Sequence, residues 1–150
     1  MAPTCRPYST RQPTAASHPE LVRKGELTPG ITCADEYISR RKKLLALLPE
    51  KSAALIAAAP LKMMTDAVPY PFRQDADYLY ITGCRQPGGI AVLGHEFGLS
   101  MFMPEASVHD VTWQGKIAGF REALDTFKAE QAFPLSKRRE VSCPCFLLWF

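Results

Sequence analysis

The sequence predicts one α/β domain of three layers, with helices on both faces of a mixed sheet. Three observations carry that prediction. A chain of 150 residues has room for one hydrophobic core of ordinary size. Its apolar and charged fractions, 47% and 22%, match a globular fold and disfavour a disordered or fibrous one. Its segments follow in the order helix, strand, three strands, helix, strand, which mixes the two element types without a strict βαβ alternation.

The first helix is predicted from Cys33 to Leu48. Thr32 and Asp35 stand three apart, as in a capping box. Tyr37, Leu44, Leu47 and Leu48 recur at helical spacing, Arg40 to Lys43 crowd the polar side, and Pro49 closes the segment. Ser52 to Ala59 is a short apolar run between Lys51 and Pro60 and reads as a buried strand, although its alanines also suit a helix. Pro60, Pro69 and Pro71 then impose a long irregular connection over residues 60–77.

Three strand-like segments follow, Tyr78 to Thr82, Gly89 to Leu93 and Leu99 to Met103, separated by turns that contain Gly and Pro. They are expected to form a consecutive meander. Phe120 to Gln131 reads as a second helix with Phe120, Leu124 and Phe127 on one face, and Ala132 to Leu135 as a last strand.

Residues 20–136 therefore form the expected domain. Residues 1–19 have Arg6, Arg11, several Ser and Thr and no acid before Glu20, a bias shared by transit-peptide remnants and by plain disordered termini. A mitochondrial address is the expectation, with a cytosolic one as the alternative. Residues 137–150 form a separate tail.

Composition also removes function classes. A net charge of +3 without a basic stripe interleaved with aromatics gives no nucleic-acid footprint. No apolar run approaches the roughly 20 residues of a membrane-spanning helix. Cys5, Cys33, Cys84, Cys143 and Cys145 are odd in number and irregularly spaced, fitting neither a disulfide framework nor a zinc motif.

His18, His95 and His109 lack the H-E-x-x-H spacing that puts two ligands on one helix face, and each reads as a surface histidine. No G-x-S-x-G elbow, P-loop or G-x-G-x-x-G cradle is present; Gly88-Gly89 reads as a turn. No catalytic residue and no metal ligand is assigned within the chain.

Two contact candidates remain. Arg73, with Asp75 and Asp77 close by at a loop-to-strand junction, suits either charge-assisted pinning of the loop or contact with a peptide or partner domain. Trp113 and Gly115 place a large amphipathic ring beside a flexible residue, which suits either a contact surface or a buried core position.

The runs His18-Pro-Glu-Leu, Gly25-Glu-Leu-Thr-Pro-Gly30, Tyr37-x-x-Arg40-Arg41 and Phe72-Arg-Gln-Asp75-x-Asp77-Tyr-Leu-Tyr-x-Thr-Gly83 resemble the N-terminal domain of Xaa-Pro aminopeptidases, in the mitochondrial intermediate-cleaving branch. The resemblance covers residues 18–136. It implies a creatinase-like α/β/α domain followed by a catalytic domain in which two Asp, one His and two Glu hold a manganese pair and hydrolyse N-terminal peptide bonds. None of those five ligands maps onto this chain, so no cofactor is expected in it and the chain is expected to be inactive alone.

The resemblance further implies oligomerisation, or association with the full-length peptidase, and a Trp-x-Gly segment reaching a neighbouring active site, which maps onto Trp113 and Gly115. The family pattern W-x-G-x-R-x-G has Ile117 here where a basic group is expected. After Ser136 the sequence leaves the pattern for an apolar ending, read either as an alternative transcript end or as a tail docked on the core.

Overall fold

Asp35 and Glu36 in its first turn favour α1 (Ala34–Leu47) through the helix dipole. The computed structural model describes residues 19–24, 26–28, 34–66, 68–105 and 119–139. The expectations for residues 1–18, Cys33, Thr32, His109, Trp113, Gly115, Ile117 and residues 140–150 lie outside these.

The buried stripe of α1 differs from the predicted one. Tyr37 is buried and Leu44, Leu45 and Leu48 are half-buried, as the helical period requires, but Leu47 is 82% exposed. Arg41, counted with the polar face from its charge, is only 4% exposed. Its guanidinium finds backbone acceptors inside the fold, which compensates the burial.

β1 (Ala53–Ala57), β2 (Ile90–Gly94), β3 (Gly98–Met103) and β4 (Gln131–Pro134) form one sheet in the order β1-β2-β3-β4. The first two pairings are antiparallel and the third is parallel, so the sheet is mixed as expected. Period-two alternation sorts its side chains onto two faces. Ala54, Ile56, Ala91, Leu93, Leu99, Met101, Met103 and Ala132 join the core with Tyr78, Cys84, Ala123 and Phe127. Val92, Ser100 and Phe102 on the opposite face are buried too, so β2 and β3 are covered on both sides, whereas Leu55 of β1 on that face is exposed. The layered α/β class holds.

The expected strand Tyr78 to Thr82 is instead part of helix α2 (Ala76–Thr82). Asp75 caps its start, accepting from the amides of Asp77 and Tyr78 at 3.0 Å each. Gly83 ends it in the left-handed conformation at φ 74°, its amide donating to the Leu79 carbonyl. Tyr78, Ile81 and Thr82 are buried together at i, i+3 and i+4, while Tyr80 faces out. Caps and helical burial override the β propensity of the aromatic run. The antiparallel meander is therefore β1-β2-β3, with α2 inserted between its first two strands.

The second predicted helix is shorter, α3 (Phe120–Asp125), because Phe127 donates back to the Glu122 carbonyl and Lys128 turns left-handed at φ 51°. Its inward residues are Ala123 and, beyond its end, Phe127; Phe120 and Leu124 are exposed. A 3₁₀ helix, Leu135–Arg139, follows β4. Gly88 and Gly89 make the predicted turn, both at positive φ.

Candidate functional site

The junction predicted to matter, residues 72–77, is held by a side chain that the sequence reading passed over. The Gln74 amide oxygen accepts from the backbone of Ala59 at 2.7 Å and of Asp75 at 2.9 Å, and its nitrogen donates to the Gln86 carbonyl. One side chain thus ties the end of β1, the start of α2 and the loop before β2. Gln74→Glu keeps the acceptor but sets a carboxylate against the Gln86 carbonyl. We expect a loss of about 1–3 kcal/mol at neutral pH, read from urea unfolding, with partial recovery in acid as the carboxyl regains a proton.

Arg73 does not pin the loop. It is exposed and makes no ion pair with a described residue. Asp75 is committed to capping, and Asp77 sits exposed in the first turn of α2. Asp75 and Asp77 do share one feature with residues far away in sequence. They line an open groove of about 730 Å³ with Arg40, Lys43, Leu44 and Leu47 of α1, all of β1 but its first residue, and Tyr80 and Ile81 of α2. Arg40 is held there between the rings of Tyr37 and Tyr80, 5.0 and 4.3 Å from their centroids, and is ion-paired to Glu36 at 3.0 Å.

The buried titratable groups serve the fold. Arg41 donates to the carbonyls of Ile81 at 2.9 Å, Lys128 at 2.9 Å and Phe127 at 2.7 Å. Desolvation lowers its pKa to about 10, opposed by the charges of Glu130 and Tyr37, and leaves it cationic at neutral pH. His95 touches the Leu48 carbonyl in a surface turn. Among the described residues no three of His, Cys, Asp and Glu converge as metal ligands, so these residues do not fit a two-metal centre.

Cys84 lies against Tyr78, and burial raises its thiol to about 11; the Tyr78 hydroxyl is raised by the same desolvation. The native state therefore holds the Cys84 proton at a pH where the unfolded chain, near 9.0, has released it. Stability from this group is complete below pH 9 and is lost as pH climbs through 11, by about 2–3 kcal/mol. Urea unfolding at stepped alkaline pH checks this: the decline is expected to flatten in Cys84→Ala, and an equally steep decline in that variant refutes the assignment.

The family model for the aminopeptidase P N-terminal domain matches residues 37–142. The chain belongs to the aminopeptidase P N-terminal-domain family. It is 62% identical over 140 residues to the mitochondrial intermediate cleaving peptidase 55 of Arabidopsis thaliana, a match covering 89% of this chain and 28% of that protein. Saccharomyces cerevisiae Icp55 superposes with a TM-score of 0.71 at 26% identity, over 82% of this chain and 29% of that one. Pseudomonas aeruginosa aminopeptidase PepP gives 0.68 at 30% identity, over 75% and 26%. The chain thus spans under a third of the length of these aminopeptidase P relatives, and all of the similarity lies in their N-terminal region. The creatinase-like fold expected from the sequence is theirs.

Proposed function

We propose that this chain provides the N-terminal, non-catalytic domain of a mitochondrial Xaa-Pro aminopeptidase-type hydrolase that removes N-terminal residues from peptides. The observation carrying this reading is the family match over residues 37–142, reinforced by 62% identity to a relative named as a mitochondrial intermediate cleaving peptidase. In this reading manganese and peptide substrate are held by a catalytic domain that these 150 residues do not supply, and the described residues shape and support its surroundings. The side chains that organise the fold suit that role: Gln74, Arg41 and Asp75 all spend their polar groups on backbone.

Hydrolysis of an Xaa-Pro peptide by the purified chain with added manganese tests the proposal. No turnover above buffer is expected, whereas the same chain fused to a catalytic domain from an aminopeptidase P relative is expected to be active. Metal-dependent turnover by the 150 residues alone would overturn it.

A further inference from the structure

We propose that Met63 and Met64 are a reversible modification site, a pair of surface thioethers that each take one oxygen atom from a hydroperoxide while the fold and the buried sulfurs stay unchanged. Both lie in the connection between β1 and α2, which folds back on itself as an arm. Backbone rungs hold the arm. Met63 bridges Pro69, the Tyr70 amide donates to the Lys62 carbonyl at 2.9 Å, and the Met64 amide donates to the Val68 carbonyl at 2.7 Å. The Thr65 hydroxyl accepts from the Val68 amide at 3.2 Å, and Gln74 ties the base of the arm to Ala59. None of these bonds uses a methionine side chain, so oxidising the sulfurs removes none of them.

Successive residues of an extended segment point to opposite sides. Met63 and Met64 are nevertheless both open, at 47% and 55% exposure, and Val68 and Tyr70 on the returning side are exposed as well. The arm therefore meets solvent on both faces, and an oxidant of a few atoms reaches either sulfur. Met101 and Met103 of β3, at 0% and 1%, instead join the core with Leu93, Leu99 and Phe127. Cys84 is buried too, and its raised pKa keeps it a thiol rather than a nucleophilic thiolate at neutral pH. Among the described residues, reactive sulfur is thus confined to the arm.

The oxidant is the sole co-reactant. A sulfur lone pair attacks one peroxide oxygen, and the S–O bond forms as the O–O bond breaks. The proton of the peroxide passes to the departing oxygen, which leaves as water or an alcohol. Sulfur loses two electrons and the peroxide gains them; a methionine sulfoxide reductase returns the thioether. Each product is a polar sulfoxide, and two of them beside Val68 and Tyr70 make an apolar stretch of surface polar.

Graded hydrogen peroxide on the folded 150-residue chain, followed by trypsin and mass spectrometry, tests this without reference to peptidase activity. Cleavage after Lys62 and Arg73 frees one peptide with Met63 and Met64, cleavage after Arg85 and Lys116 another with Met101 and Met103, and neither contains cysteine. Met63 and Met64 are expected to oxidise at least about tenfold faster than Met101 and Met103, with the difference gone in urea. The oxidised chain is expected to keep its thermal unfolding, to elute earlier in hydrophobic-interaction chromatography, and to regain its elution with the reductase. Replacing both residues, Met63→Leu with Met64→Leu, is expected to abolish the elution shift. Equal rates in the folded chain overturn the proposal, as does a lowered thermal unfolding on oxidation of the pair or an elution shift that persists in the double variant.

Discussion

Arg41→Met is expected to destabilise the chain by about 3–5 kcal/mol, a large part of what holds a domain of this size together. The methionine keeps most of the apolar stem but removes every donor that reaches the carbonyls of Ile81, Phe127 and Lys128. Each carbonyl left dry costs about 1–3 kcal/mol, and the three losses overlap because the same segments relax together. Arg41 joins α1 to the end of α2 and to the turn between α3 and β4, segments about 40 and 87 residues away in sequence. Arg41→Lys is expected to recover less than half, since one ammonium cannot reproduce a planar fork that addresses three acceptors. Equilibrium urea unfolding of the three proteins measures both effects. A loss below about 1 kcal/mol for Arg41→Met would show that water or relaxation satisfies the carbonyls.

The sequence made β2 and β3 legible because their apolar residues run between glycine turns and their register follows from the tight Gly94–Gly98 connection. It made α1 legible as a helix but not its buried face. The period marks a stripe, and apolarity alone placed Leu47 in it and left Arg41 out, although a charge with enough backbone acceptors belongs inside.

The misassigned segment is instructive in another way. Tyr78 to Thr82 is rich in β-forming residues, yet Asp75 before it and Gly83 after it are the start and stop signals of a short helix, and Tyr78 and Thr82 share a helical face. At the candidate site, the run from Phe72 to Asp77 is distinctive as a motif, and its charges are what the sequence makes conspicuous. Arg73 proves to be solvent-facing, and the neutral Gln74 does the tying. An uncharged amide carries no sequence signal for such a role, because its three partners are backbone groups brought near only by folding.

Gly83→Ala is the second change expected to act strongly, and its effect divides into two parts that can be measured separately. The residue sits at φ 74°, where a side chain costs about 1–2 kcal/mol, and an added Cβ would stand 2.8 Å from Cζ of Tyr37 and 2.9 Å from Cδ2 of Leu27. Tyr37 has little room to withdraw: it is buried, and its hydroxyl is hydrogen-bonded to Thr28 at 2.7 Å. Overpacking against it adds about 1–3 kcal/mol, for a total of about 2–5 kcal/mol. Gly88 has the same φ of 74°, but a Cβ there would meet nothing closer than 3.8 Å, so Gly88→Ala is expected to show the backbone cost alone. The difference between the two alanine variants in urea unfolding is then the steric contribution of the packing of Tyr37 against the end of α2. Equal losses at the two glycines would mean that Tyr37 moves aside freely, and that the contact between α1 and the α2 terminus is looser than its hydrogen bonds imply.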